Sequence, residues 1–185
     1  MRLPGTTARR DFEAFAAAAT DGLVRAAYLM VADLAEAEDL VQETLLRTAR
    51  RWYRVRTMDQ PLAYARRILV NLVIDGSASR ARRRAELAPR SEPILQARPD
   101  ELAATVIGAT EARLDLAAAL MTLTPRQRAV LVLRYWSDLP EAEVARLLGC
   151  SAGTVKSTAS RSLARLRELM TGQDAPGLPI TTRSE

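Results

Sequence analysis

The stretch that decides the fold is residues 139–169, LPEAEVARLLGCSAGTVKSTASRSLARLREL. A short helical pattern ends at Gly149, and a longer one begins after Ser151, a residue that can cap a helix N-terminus. Two helices joined by a turn of this length form the helix-turn-helix pattern. The longer helix has a small or apolar face that is predicted to pack inward, formed by Val155, Ala159, Ser162, Leu163, Leu166 and Leu169.

The opposite face of this helix carries small side chains that can form hydrogen bonds. Such a face can approach base edges in the major groove, and the cationic side chains beside it can meet phosphates. We therefore predict contacts with duplex DNA at Ser151, Thr154, Lys156, Ser157, Ser160 and Arg161. The alternative is an ordinary helical hairpin with a solvated polar face.

Helical periodicity extends over the rest of the chain, and no stretch alternates with period two as a strand would. An acidic stretch with Pro89, Pro93 and Pro99 interrupts the pattern and predicts a linker. We predict an all-α chain of two small helical domains joined by a flexible linker, the C-terminal domain being the helix-turn-helix. The predicted domains are 1–86 and 110–170, with a linker over 87–109 and a disordered tail over 171–185. The predicted helices are Asp11–Val31, Ala35–Val55, Pro61–Ile74 or beyond, Thr110–Leu120, Pro125–Tyr135, Leu139–Leu148 and Ala152–Met170.

Composition excludes several classes of function. The 185 residues include no histidine, which removes His-based catalytic triads, His general bases and most catalytic zinc sites. The single cysteine, Cys150, cannot form an internal disulfide and is read as a small turn or core residue. No window approaches the eighteen uncharged apolar residues of a membrane span. We expect a cytoplasmic protein that is not an enzyme, with no catalytic residue, no cofactor, no metal and no membrane partner.

The charge alternates along the N-terminal half. Residues 31–46 contain five acidic and no basic side chains, whereas residues 47–90 contain 12 basic and three acidic ones. Within the acidic segment, helical spacing sets Asp39, Gln42, Glu43 and Leu46 apart from the inward-facing positions. An exposed leucine among acids indicates a protein interface. A solvated acidic face with one stray leucine is the alternative.

The basic segment ends in a compact cationic cluster of Arg80, Arg82, Arg83 and Arg84. Neutralising about four single-strand phosphates would give a log-log salt slope near −3, enough to matter for affinity. A solvated basic helix end is the alternative. In the preceding helix we predict an inward face of Leu62, Ala65, Ile68, Leu69, Leu72 and Val73, with Arg66, Arg67, Val70, Asn71 and Ile74 on other faces or the borders. Trp52, Tyr53 and Tyr64 are predicted to lie in the core or at its edge.

Together these stretches resemble the extracytoplasmic-function (ECF) sigma factors, the short sigma-70-class form with regions 2 and 4 only, over residues 11–170. AEDLVQETLLRTARRW (37–52) is similar to the region 2 helix that docks on the polymerase clamp, which implies polymerase contacts at Asp39, Gln42, Glu43 and Leu46. PLAYARRILVNLVID (61–75) resembles the segment that reads the melted −10 element, and 123–169 resembles region 4 at the −35 element. The resemblance implies core RNA polymerase and promoter DNA, duplex and melted, as partners, and an anti-sigma factor as a further one. It assigns −10 contacts to Arg56, Arg66, Arg67, Asn71, Arg80, Arg82, Arg83 and Arg84.

The chain departs from the family pattern at one segment, and two alternative functions are still compatible with the sequence. Gly76 and the serines after it weaken the helix by about 1–2 kcal/mol relative to alanine, so we expect its last turn to fray before the arginine cluster. A stand-alone helix-turn-helix regulator would use only residues 110–170, and it leaves the acidic helix beside the arginines unexplained. A helical nuclease or transferase could use Asp33, Glu36, Asp39 and Glu43, but no glycine-rich loop accompanies them.

Overall fold

A computed structural model describes the backbone of residues 6–87 and 111–171, and the side chains of residues 7–77 and 116–170. Within these ranges the chain is helical and contains no strand. The N-terminal half has four helices: α1 (Thr6–Val31), α2 (Leu34–Arg50), α3 (Trp52–Val55) and α4 (Pro61–Leu87). The C-terminal half has α5 (Glu111–Met121), α6 (Pro125–Leu131), α7 (Glu141–Leu148) and α8 (Ala152–Thr171), with a π-helical turn at Val132–Trp136 after α6. The predicted all-α fold is confirmed, while the linker and the tail fall outside the described residues.

Local capping explains most of the helix boundaries. Asp33 accepts a hydrogen bond from the backbone N–H of Glu36 and starts α2. Thr124 and Gln127 form a reciprocal capping box at the start of α6, with Pro125 at its first turn. Gly149 ends α7 in the left-handed conformation, with φ of 62°. The predicted helix start at Pro125 and helix end at Leu148 are confirmed.

Three details differ from the sequence-based expectations. The predicted helix from Ala35 to Val55 is broken at Arg51, which separates α2 from α3. The segment predicted to continue α6 becomes the π-helical turn, in which the N–H of Ser137 donates to the carbonyl of Val132. α4 does not end near Gly76, where the sequence predicted a weak last turn, but has helical backbone as far as Leu87.

α1 lies at the centre of the structure and packs against α2, α4, α5 and α6. Its segment Thr7–Val31 has the length and hydropathy of a membrane span, but half of the relevant window is buried inside the protein. Length and hydropathy alone are weak grounds for a span, since the core helix of a soluble protein passes the same test. Here the segment supplies core residues such as Leu23, Ala27 and Met30.

Three burial predictions are wrong. Val70, expected at a border, is completely buried because α4 is packed by α1 and α2 and also by α6 and α7. Tyr53 is 65% exposed, since α3 has a single turn and buries its neighbour Trp52 instead, against the rings of Phe12 and Phe15. Leu169 is 41% exposed, because burial on the inner face of α8 ends with Leu166.

Candidate polymerase and promoter interfaces

The acidic stripe, defined as Asp39, Gln42, Glu43 and Leu46, lies on the outer surface of α2. α2 turns the opposite face inward, where Ala37, Val41, Thr44 and Thr48 are buried. The residues of the stripe are spaced i, i+3, i+4 and i+7, so they form one line along the helix. Leu46 is 54% exposed, although large apolar side chains are usually buried. The stripe therefore presents two carboxylates, an amide and an apolar side chain to a partner.

Glu43 is the residue of the stripe that forms an ion pair among the described side chains. Its Oε1 accepts a hydrogen bond from Nε of Arg47 at 2.6 Å, one helical turn away, and both side chains are partly exposed. Such an exposed i, i+4 pair contributes little to stability, about 0.3–0.5 kcal/mol. The pair with Arg47 orients the Glu43 carboxylate along the helix. The side chain of Asp39 is exposed to solvent.

The helix-turn-helix consists of α7, the turn Gly149–Ser151 and α8. The left-handed Gly149 reverses the chain, and the N–H of Cys150 donates to the carbonyl of Ala145. Ser151 then caps α8, because its Oγ accepts a hydrogen bond from the N–H of Thr154 at 3.1 Å. Val155, Ala159, Ser162 and Leu166 anchor the inner face of α8 in the core.

The outer face of α8 carries every side chain predicted to contact duplex DNA in this half. The six are all exposed: Ser151, Thr154, Lys156, Ser157, Ser160 and Arg161. Besides the Ser151 cap, two of them are held by bonds to carbonyls of the helix backbone. Ser157 Oγ donates to the carbonyl of Thr154, and Arg161 Nε donates to the carbonyl of Ser157 at 3.2 Å. The face has the small, polar character that allows a helix to enter the major groove.

A groove of about 230 Å³ runs between α6 and α8 beside this face. Thr124 and Arg126 line it from α6, and Thr158, Arg161 and Cys150 line it from the other side. Nη2 of Arg126 donates to the carbonyl of Leu148 at the end of α7, which ties α6 to the turn of the helix-turn-helix. Sequence reasoning did not identify Arg126, whose partner lies 22 residues away in the chain.

The predicted −10 contacts lie on α4 and on the segment before it. Arg67 and Asn71 are exposed, and Arg56 is paired with Asp11 of α1 at 3.3 Å. Arg66 is partly buried. Burial lowers the pKa of the Arg66 guanidinium, and the nearby carboxylate of Glu143 on α7 opposes that shift. The arginine cluster lies on the helical backbone of α4, with its side chains outside the described set.

A second groove, of about 310 Å³, opens next to Arg56. It is lined by Asp11, Trp52, Arg56, Thr57 and Pro61. The indole N–H of Trp52 is buried and has no hydrogen-bond partner among the described residues. Asp11 and Trp52 were not predicted as site residues, because only tertiary packing brings α1 and α3 to the start of α4.

Comparison with known proteins identifies the family. Two family models match, sigma-70 region 2 over residues 15–84 and sigma-70 region 4 over residues 113–166. The RNA polymerase sigma-E factor of Streptomyces coelicolor is 38% identical over 167 residues, which cover 89% of this chain and 88% of that protein. The ECF RNA polymerase sigma factor SigL of Mycobacterium tuberculosis is 35% identical over 150 residues, 78% of this chain and 80% of SigL. The chain belongs to the ECF sigma factors.

Solved structures of two sigma factors have the same fold. The sigma factor RpoE of Bartonella quintana, crystallised with the anti-sigma factor NepR, matches with a TM-score of 0.65 and 26% identity over 90% of this chain and 99% of RpoE. SigJ of Mycobacterium tuberculosis matches with a TM-score of 0.60 and 29% identity, over 84% of this chain and 52% of SigJ. Region 2 of the present sigma factor lies within α1–α4, and region 4 lies within α5–α8.

The geometry does not support the alternative interpretation as a helical nuclease or transferase. Within the described parts of the chain, no group of three or more His, Cys, Asp or Glu side chains could hold a metal ion. Asp33 caps α2, and Glu43 pairs with Arg47 on the surface. Two of the four carboxylates in that interpretation, Asp33 and Glu43, therefore have partners within the described residues.

Proposed function

We propose that the chain, as a sigma factor directing core RNA polymerase to specific promoters, divides the work between the acidic stripe of α2, which binds core polymerase, and α8, which reads the −35 element. The observation that carries this assignment is the outer face of α8, where all six candidate side chains are exposed at a helix start fixed by Gly149 and Ser151. Direct readout in the major groove needs this arrangement of small donors and acceptors beside a cation.

Region 2 reads the −10 element in the same proposal. Arg67 and Asn71 are exposed on α4, and the groove at Arg56 lies where α4 begins. The arginine cluster near the C-terminus of α4 would bind the phosphates of the melted strand. Base flipping costs a few kcal/mol, which the protein contacts would supply. The proposed domains are region 2 over 1–86 and region 4 over 110–170, separated by the linker 87–109 and followed by the tail 171–185.

The partners and setting follow from this role. The sigma factor works through binding, and we propose that it catalyses no reaction itself and acts in the cytoplasm, where RNA polymerase works. RpoE of Bartonella quintana was crystallised with an anti-sigma factor. By analogy, an anti-sigma factor is a proposed partner of this chain as well.

Gel shifts with and without core polymerase test the proposed function. The free chain should bind duplex promoter DNA weakly, because region 2 needs an opened strand, and core polymerase should strengthen sequence-selective binding. Tight, selective binding by the free chain, unaffected by core polymerase, would instead support the stand-alone helix-turn-helix regulator.

A further inference from the structure

A backbone carbonyl at the end of α7 depends on a side chain from another helix. Carbonyls in the last turn of a helix have no partner within the helix and need one from elsewhere. The N–H groups of Gly149 and Cys150 both donate to the carbonyl of Ala145. The carbonyl of Leu148 accepts instead from Nη2 of Arg126 on α6, at 3.0 Å. The guanidinium of Arg126 therefore completes the C-terminal cap of α7, a place where the helix dipole also favours a cation.

The backbone of Arg126 is fixed at the start of α6. Arg126 is the second residue of this helix, directly after Pro125. The capping box closes around it, because the N–H of Thr124 donates to Oε1 of Gln127 and the N–H of Gln127 donates to Oγ1 of Thr124. α6 packs in turn against α8. Arg126 thus extends from a fixed point of region 4 to the end of α7.

The bond from Arg126 acts at a turn that side-chain packing supports only in part. The inner face of α8 is anchored by buried side chains from Val155 onward. In the turn before it, Cys150 packs partly against the core, whereas Gly149 and Ser151 are exposed. A Cβ built at Gly149 meets nothing within 4 Å. Hydrogen bonds therefore hold this turn more than side-chain packing does.

The orientation of the turn matters for the side chains that are proposed to read bases. Ser157 and Arg161 lie on α8, which starts directly after the turn, and Arg161 lines the same groove as Arg126. Hydrogen bonds to base edges need donor–acceptor distances of about 2.7–3.2 Å and nearly linear angles. A small rotation of α8 therefore disrupts several base contacts together, whereas a flexible cation can still reach a phosphate.

We propose that Arg126 is a positioning residue for −35 recognition, whose bond to the carbonyl of Leu148 sets the orientation in which α8 presents its base-reading side chains. The inference rests on the proposed function of α8. Arg126 is itself exposed and lines the groove beside α8, so a direct bond to a DNA phosphate is the alternative role. The two roles differ in their effect on the salt dependence of binding.

Arg126→Met tests the proposal, because methionine keeps much of the apolar stem and removes every hydrogen-bond donor of the guanidinium. Arg146→Met is the matched control. Arg146 is exposed in the last turn of α7, so its loss makes the same charge change near the same helix end. Lys156→Ala, which removes a proposed phosphate contact, is the reference for direct binding to the DNA backbone.

Amide hydrogen exchange of the full chain, followed by NMR, measures the order of the turn without DNA. The reporter is the amide of Cys150, which donates to the carbonyl of Ala145. Arg126→Met should accelerate its exchange about tenfold through local opening, the lower end of the range for a hydrogen bond to a charged group. Arg146→Met should leave it unchanged, and the amide of the buried Ala27 in α1 should not change in either variant. Equal exchange at Cys150 in the two variants, or the same acceleration at Ala27, would overturn the proposal.

Anisotropy titrations of the full chain with −35 duplexes give the second measurement. Arg126→Met should weaken binding to the preferred duplex about tenfold, the low end of the cost of one disrupted base contact. It should also relax selectivity at the base pairs read by both Ser157 and Arg161. Its slope of log K against log salt should equal that of the unaltered chain, since no phosphate contact is lost, whereas Lys156→Ala should reduce the slope by about 0.9.

Two results of these titrations would overturn the positioning role. A slope reduced by about 0.9 for Arg126→Met would show a direct phosphate contact. Unchanged affinity and selectivity would show that base reading does not depend on the bond to Leu148. If the unaltered chain binds all duplexes alike, alone and with core polymerase, the proposed function fails instead, and the exchange at Cys150 still decides whether Arg126 holds the turn.

Discussion

At the scale of single residues, Arg161 and Ser157 are the side chains that we expect to read bases. Replacing either by alanine should cost about 1–3 kcal/mol of −35 binding and relax selectivity at one base pair. Lys156→Ala should have a smaller effect that is similar on all sequences, because a phosphate contact carries no sequence information. Anisotropy titrations with a set of single-substituted −35 duplexes measure this. Equal losses for all three variants on every duplex would mean that α8 contacts only phosphate.

Gly149 gives a prediction about stability at the same scale. It has φ of 62°, and a Cβ built there meets nothing within 4 Å, so the cost of Gly149→Ala is purely conformational. We expect the free energy of unfolding to fall by about 1 kcal/mol. Gly22→Ala is the control, since Gly22 lies within α1 with open space around it. That substitution should stabilise the protein by about 0.5–1 kcal/mol.

Urea denaturation of the two glycine variants measures both effects. The urea midpoint should fall for Gly149→Ala and rise for Gly22→Ala, while the dependence of the unfolding free energy on urea concentration stays unchanged. A loss of stability at Gly22 equal to that at Gly149 would show that the left-handed turn is not the cause.

At the scale of the elements, the acidic stripe should be separable from the arginine cluster. Asp39→Lys with Glu43→Lys should abolish association with core polymerase and leave the fold intact, because surface substitutions usually cost under about 0.5 kcal/mol. Glu13→Lys with Asp21→Lys makes the same charge change at exposed positions of α1, off the stripe, and should leave association unchanged. Fluorescence anisotropy of labelled protein measures association. Normal core binding by the stripe variant would refute the docking assignment.

The arginine cluster should give the opposite pattern. Replacing Arg82, Arg83 and Arg84 by alanine should leave core association unchanged, weaken promoter opening and flatten its salt dependence by up to about 2 in slope. Permanganate reactivity of unpaired thymines across a salt series measures opening. An unchanged salt slope would remove the cluster from the strand-binding surface.

The elements also show what could be predicted from the sequence. Helix faces and ends depend on local spacing and capping, so the outward faces of α2 and α8 and the boundaries at Pro125 and Gly149 were predictable. The break at Arg51 was not, because Trp52 turns inward to pack on the rings of α1. The complete burial of Val70 was missed for a similar reason, since its partners lie on distant helices.

At the scale of the whole molecule, the contact between the halves was beyond sequence reasoning. Arg128 and Met30 are 98 positions apart, and neither stands out in the periodic pattern. Helical periodicity indicates which face of a helix is buried but not which helix covers it. The half-buried position of Arg66 follows from tertiary packing, so the sequence assigned it to DNA without showing that burial.

Transcription by core polymerase from a library of promoter sequences tests the central claim most directly. The account predicts that adding the chain produces initiation from a defined subset of sequences sharing −10 and −35 elements. It predicts no initiation from them with the Asp39→Lys, Glu43→Lys variant, and a changed −35 preference with Arg161→Ala. An absence of initiation with the unaltered chain, together with selective duplex binding by the chain alone, would contradict it.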